Sequence, residues 1–109
     1  MEANTPKDFF EKVLPTKFKP EKAEGFDGVA QVNLAGPMGG SWVITVKNRK
    51  IDAKEGIAAK PDITLKMKDE DFMALVNGKL DAVTAFMSGK IEFNGSMALG
   101  LRLMDMGLM

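Results

Sequence analysis

The chain of 109 residues contains no cysteine, no histidine and no tyrosine. Without cysteine there is no disulfide framework, no thiol nucleophile and no thiolate metal site, a composition that fits a reducing compartment. Without histidine the commonest general base and the commonest metal ligand are missing, and without tyrosine a phenolic acid is missing too. No apolar run approaches the ~18 residues that a membrane-spanning helix requires. The opening Met1-Glu2-Ala3-Asn4 lacks the basic-then-apolar order of a signal peptide, and the closing Gly107-Leu108-Met109 is not the Ser-Lys-Leu peroxisomal address. A cytoplasmic location is the expectation.

An excess of one charge is absent as well, since 15 basic and 15 acidic residues cancel. Lys7, Lys12, Lys17, Lys19 and Lys22 alternate with Glu2, Asp8, Glu11, Glu21 and Glu24, which is the pattern of a solvated surface. Nucleic acid, whose phosphates demand a clustered positive field, is therefore not an expected partner.

What remains is an ordinary globular composition, 45% hydrophobic and 28% charged, long enough for one domain over residues 1–109. A chain of this size buries roughly two-thirds of its unfolded surface, enough for one core. Thr5-Pro6-Lys7-Asp8 signals a helix start, and Phe9, Phe10, Val13 and Leu14 follow at helical spacing until Pro15 ends the pattern. A short helical stretch is expected over 20–24, stopped by Gly25.

From Gly28 the period changes to two, with Ala30, Val32 and Leu34 on one face. Gly36-Pro37-Met38-Gly39-Gly40 makes a turn, Trp42, Ile44 and Val46 share a face of the next strand, and Asn48-Arg49-Lys50 reverses the chain. Ile51 and Ala53 begin a third strand, and the strict alternation of residues 63–68 predicts a fourth. Consecutive hairpins imply an antiparallel sheet with one face covered. Asp69-Glu70-Asp71 opens a helix whose apolar face is Phe72, Leu75 and Val76, with Gly78 closing it. Asp81 caps another helix bearing Val83, Phe86 and Met87, and Ile91 and Phe93 form a last strand. Asn94-Gly95 turns the chain, and Ser96 caps a final helix. The order predicts an α+β domain with helices layered on one sheet face.

The final helix departs from one-sided burial. From Met97 to Met106 its only charges are Arg102 and Asp105, neighbours on one narrow face. Four of the nine methionines fall in the last thirteen residues, at 97, 104, 106 and 109. Methionine is unbranched and polarisable, suited to variable apolar shapes. Three readings stand side by side: core filling or a homodimer interface, the wall of a ligand cavity, and docking to a larger partner.

Other features read as structure. Asp69, Glu70 and Asp71 lack the spacing of a calcium loop and suit the positive end of a helix dipole. Gly36, Gly39 and Gly40 lack the lysine and hydroxyl of a phosphate loop and fit a hairpin turn. Trp42 is first a core residue and second a ligand contact. No Ser, Thr or Lys stands beside an activating base, so neither catalysis, nor a metal, nor a cofactor is expected.

The series Pro61-Asp62-Ile63-Thr64-Leu65, Asp69-Glu70-Asp71-Phe72-Met73, Val76-Asn77-Gly78-Lys79-Leu80, Ala85-Phe86-Met87-Ser88-Gly89-Lys90-Ile91 and Asn94-Gly95 resembles the sterol-carrier-protein-2 domain family. The Trp42 strand and the Phe9-Phe10 helix extend the likeness almost end to end. The resemblance implies a five-stranded, mainly antiparallel sheet covered on one face by helices, with an internal apolar tunnel. It implies non-catalytic binding and carriage of a fatty acid, fatty acyl-CoA, sterol or phospholipid, with at most transient membrane contact. By position the lining falls to Phe72, Leu75, Val76, Val83, Phe86, Met87, Met97, Leu101 and Met104, with Trp42 as a further candidate contact. Some animal members carry a Gln where this chain has Leu101, so the likeness points to a looser acyl-chain binder than a true sterol carrier. The alternative is an interaction or dimerisation module that docks through its C-terminal helix to a lipid-metabolising enzyme.

Overall fold

The computed structural model describes residues 4–106, with the side chains of Met104 and Asp105 outside that description. The Met104 side chain, and the closing Leu108 and Met109, therefore lie outside what the structure describes.

The first helix, α1, runs through an α-helical turn Pro6–Asp8, a π-helical stretch Phe9–Val13 and a second α turn Leu14–Lys17. Thr5 caps it, its hydroxyl accepting the Asp8 N–H at 3.0 Å. Pro15 was expected to end this helix, but it lies inside it. In the π stretch the Leu14 N–H reaches back five residues to the Phe9 carbonyl. Pro15 thus follows a widened turn, which relaxes the clash its ring makes with a regular α turn. The backbone turns extended only at Phe18. A short 3-10 turn, Pro20–Lys22, follows, shorter than the stretch expected there.

Five strands come next: β1 Gly28–Ala35, β2 Gly40–Lys47, β3 Lys50–Glu55, β4 Ile63–Lys68 and β5 Glu92–Gly95. Their order in the sheet is β3-β2-β1-β4-β5. β1 pairs antiparallel with β2 and parallel with β4, while β2–β3 and β4–β5 are antiparallel. The sheet is thus mainly antiparallel, with one parallel seam in its middle. Val32 stands opposite both Trp42 and Leu65, so their side chains share a face. The β2–β3 reversal is a two-residue turn in which Asn48 and Arg49 both hold positive φ, at 53° and 60°, the backbone that matches strand twist.

The helices α2 Asp69–Val76, α3 Ala82–Met87 and α4 Met97–Asp105 complete the chain. Asp81 caps α3, accepting the Thr84 N–H at 2.9 Å. Asn94 and Gly95, expected as a turn, belong to β5, where Gly95 pairs with Ile63. A Cβ on Gly95 would strike the Asp62 carbonyl, so the glycine serves close strand pairing rather than a bend. The reversal comes at Ser96, whose hydroxyl accepts the Leu99 N–H at 3.4 Å.

Ala30, Val32, Trp42, Ile44, Val46, Ile63, Leu65 and Met67 are buried on the helix-covered face. On the opposite face the alternating residues are partly exposed, with one exception. Gln31 is 3% exposed and is roofed by the segment that joins β3 to β4. Its Nε2 donates to the Gly56 carbonyl at 3.0 Å, and its Oε1 accepts the Ala58 N–H. A buried amide satisfied at both ends ties this crossing segment to the sheet.

Candidate functional site

Between β4–β5 and the pair α3–α4 lies a cavity of about 160 Å3. Ile63 and Leu65 of β4, with Ile91 and Phe93 beside them, supply its floor. Ala82, Val83 and Phe86 of α3 form one wall, and Met97, Gly100, Leu101 and Leu103 of α4 the other. Each element faces inward for a local reason: the period-two alternation of β4 sends Ile63 and Leu65 to the helix side, and residues 82, 83 and 86 share one side of α3.

Every described lining residue is apolar. Exposure grades sharply across them. Ile63, Leu65, Ile91 and Leu103 are buried, whereas Val83 is 57% exposed, Phe86 42%, Met97 48% and Leu101 56%. The site therefore has a dry floor and a wet, greasy mouth. The Phe86 and Phe93 rings meet edge to face, with centroids 6.5 Å apart. Gly100 lets the Phe93 ring approach the α4 backbone, because a Cβ there would sit 2.7 Å from the ring.

An apolar cavity near 150 Å3 stays dry and takes a guest the size of benzene. About six carbons contribute roughly 5 kcal/mol of gross transfer energy, no more than association itself costs. Tight capture of a longer chain thus needs the mouth to widen.

Val83, Phe86, Met97 and Leu101, named from the sequence, come together in this cavity. Of the others, those whose side chains the structure describes do not join them. Trp42 and Phe72 belong to a closed aromatic cluster: the Phe10 ring lies 4.7 Å from Trp42 and 5.2 Å from Phe72, which in turn meets Phe9 at 5.5 Å. Four rings in contact fill that part of the core. Leu75 and Val76 are buried along a separate cleft, of mixed polar and apolar lining, shared with Val13, Thr16 and Lys17 of α1. Met87 is 80% exposed at the end of α3. Ile63, Leu65, Ala82, Ile91, Phe93, Gly100 and Leu103 line the cavity without having been named. The alternation of β4 carried the signal for the first two, because it marked their face as the covered one.

Charge stays at the periphery. The Thr84 backbone N–H, and then its hydroxyl, hold the Asp81 carboxyl below its ordinary value. Burial, and then the like charge of Lys19, push the Lys17 ammonium below its ordinary value, and its Nζ lies 5.7 Å from the Phe9 ring centre. Asp69 turns its carboxylate toward the β1–β2 turn, accepting the Met38 N–H. Among the described residues no cluster of three carboxylates could hold a metal ion, and no helix is long and apolar enough to cross a membrane.

Known proteins resemble this chain in sequence and fold. A family profile described as the SCP-2 sterol transfer family matches residues 10–106. Hydroxysteroid dehydrogenase-like protein 2 of Danio rerio is 39% identical over 88 residues, which make up 80% of this chain and 21% of that protein. Sterol carrier protein 2 of Bos taurus is 40% identical over 68 residues, or 62% of this chain and 12% of that protein. Among solved structures, the sterol carrier protein domain 2 of Helicoverpa armigera is 28% identical with a TM-score of 0.72, covering 96% of this chain and 91% of that one. The chain thus spans a small part of the first two proteins and nearly all of the third.

Proposed function

The chain belongs to the SCP-2 sterol transfer family, and from that premise we propose that it binds the hydrocarbon part of a lipid between β4–β5 and α3–α4 and carries it unchanged. The observation that supports this most is the wholly apolar lining, buried at the floor and exposed at the mouth. Such a gradient favours a tail pointing inward and a polar head left in water. Val83, Phe86, Met97 and Leu101 are the mouth contacts in this reading, and Ile63, Leu65, Ile91 and Leu103 the deep ones. With no polar side chain among the described lining residues to recognise a head, selectivity comes from shape, about 1–3 kcal/mol per methylene of misfit. Fatty acids, acyl-CoA esters and phospholipids with one accessible chain all fit that description, and none of the described lining residues is a nucleophile.

Burying ~15 methylenes at ~0.8 kcal/mol each gives roughly 12 kcal/mol gross, against about 5 for the cavity as it stands. The carrier state therefore requires α3 and α4 to move apart, enlarging the cavity toward a tunnel.

Melting curves with saturated fatty acids from C12 to C18 test this reading. At a hundredfold excess over Kd, melting should rise by about 10 °C, and at one fixed ligand concentration longer chains should raise it further. If no chain length shifts melting, and native mass spectrometry finds no bound lipid, tail binding is wrong.

A second reading, that the domain also serves a larger enzyme, is favoured by the match to part of a hydroxysteroid dehydrogenase-like protein. The exposed rim of α3 and α4 is the docking face in that case. Light scattering before and after Leu101→Lys checks it: an assembly that survives the substitution does not use this face.

A further inference from the structure

We propose, resting on the tail-binding reading above, that the Met97 thioether takes the peroxide oxygen from an acyl chain that carries a hydroperoxide. An intact chain then passes through the site unchanged, while a peroxidised one leaves as its alcohol.

The chain has no cysteine, so thioethers are the sulfur that an oxidant meets. The described methionines differ sharply in what they face. Met67 and Met106 are buried, and Met73 is half-buried on α2. Met38, in the β1–β2 turn, borders a different cleft beside Thr5 and Trp42. Met87 is 80% exposed yet does not line the cavity, whereas Met97 is 48% exposed and does. Among the described side chains, Met97 is thus the one methionine at the mouth. Its place is fixed from below, because it opens α4 two residues after Gly95, which pairs with Ile63 on the cavity floor.

The lining decides where a peroxidised chain halts. A hydroperoxide donates and accepts hydrogen bonds, and no described lining residue has a polar side chain to meet them. Drawing the group down to the dry floor therefore costs its desolvation. The hydrocarbon beyond the peroxide enters, and the peroxide stays at the wet mouth. Volume sets the length of that end: a cavity of about 160 Å3 takes about six carbons. The 13-hydroperoxide of linoleic acid has five carbons beyond its peroxide. Its end reaches Ile63, Leu65 and Leu103, its peroxide meets Met97, and its carboxylate stays in water.

A thioether does not attack esters, but it does reduce peroxides. A sulfur lone pair forms the S–O bond to the terminal peroxide oxygen, and the O–O bond breaks. Its electron pair leaves on the oxygen attached to the chain, which takes up the hydroperoxide proton. Met97 is oxidised to the sulfoxide and the chain is reduced to an alcohol. Each sulfur reacts once, until a sulfoxide reductase restores it.

Tryptic mapping of the full chain tests this, because cleavage after Lys79, Lys90 and Arg102 leaves Met87 and Met97 each as the sole methionine of a peptide. Linoleic acid 13-hydroperoxide should oxidise Met97 at least about tenfold faster than Met87, against their order of exposure, since binding brings the reactants together. Hydrogen peroxide, which needs no site, should oxidise Met87 at least as fast as Met97. Excess palmitate should slow the acyl hydroperoxide at Met97 and leave Met87 unaffected. One alcohol should form per Met97 sulfoxide. Met97→Leu should cut alcohol formation at least about tenfold, and Met87→Leu should leave it unchanged. Equal oxidation of the two methionines by the acyl hydroperoxide, in a chain that native mass spectrometry shows binding palmitate, overturns peroxide reduction at Met97 and spares the tail-binding reading. Undiminished alcohol formation in Met97→Leu does the same. A chain that takes up no palmitate sinks the tail-binding reading, and peroxide reduction with it.

Discussion

The Asp69 carboxylate accepts the backbone N–H of Met38 at 2.8 Å, fastening the start of α2 to the turn between β1 and β2. Its other oxygen accepts the Glu70 N–H, also at 2.8 Å. Gly36, at φ 110°, lies so close that an added Cβ would collide with this carboxylate. Asp69→Ala removes a charged acceptor from a site only 6% exposed and should lower stability by about 2–3 kcal/mol in urea unfolding. Gly36→Ala alone should cost about 2 kcal/mol. Because the two residues share one space, the double variant should lose less than the sum. Strict additivity would show that they act separately.

Gln31 invites a second test. Its Nε2 faces the Gly56 and Trp42 carbonyls and Asn33 Oδ1, and its Oε1 faces the Ala58 N–H. Substitution by leucine keeps the bulk but strands these partners, so we expect a loss of about 2–4 kcal/mol. Exchange of the Ala58 amide should accelerate more than that of any amide in β4. An unaltered Ala58 amide would mean that the crossing segment holds its place without the glutamine.

Two leucines on α4 separate folding from binding. Leu103 is buried at the cavity floor, so Leu103→Ala should destabilise by about 2–5 kcal/mol. Leu101 is 56% exposed at the mouth, so Leu101→Glu should change stability by no more than about 0.5 kcal/mol. Yet it places a charge where an acyl chain must pass, and fatty-acid affinity should fall at least about tenfold. Native affinity in Leu101→Glu would move the mouth elsewhere.

Asp81 gives the structure a local dependence on acid. Its folded pKa lies below the unfolded value because the ionised carboxylate accepts from Thr84. The capping contribution is therefore complete above the ordinary aspartate pKa of about 3.9 and is lost as pH falls through the lower folded value. Carboxyl carbon shifts should titrate below the ordinary midpoint, and α3 should fray over the same range. Asp81→Asn, which keeps an N-cap without a charge, should leave α3 insensitive to that acid step. Identical acid fraying in Asp81→Asn would assign the effect to another group.

Much of the architecture was legible because burial imposes simple periods. β4 occupies the six alternating residues, and the Asn48-Arg49 reversal adopts the turn that a two-residue hairpin demands. The buried role of Gln31 was hidden, since a glutamine alternating with alanine and valine reads as a wet face. Only the covering segment makes it dry. Asp69 was read as answering the helix dipole, whereas its carboxylate reaches a turn 31 residues away in sequence. The site shows the same limit. Periodicity marks Phe72, Leu75 and Val76 as apolar, but the neighbour that each meets depends on where α1 lands. Phe9 and Phe10 close over Phe72, and Leu75 and Val76 face a cleft beside Val13, so none of the three reaches the apolar space under α3 and α4.

The parallel pairing of β1 with β4 has a consequence for how the molecule assembles. Ala30 stands beside Ile63, whereas the β1–β2 and β2–β3 hairpins close over short turns. Those hairpins can zip locally, but the central seam waits on a longer loop and its greater closure entropy. Until it forms, β1 keeps a bare edge of unpaired amides and carbonyls. The cavity, lined wholly from β4 onward, thus joins the β1–β2–β3 meander only when that seam closes, and the sheet is continuous beneath it only then.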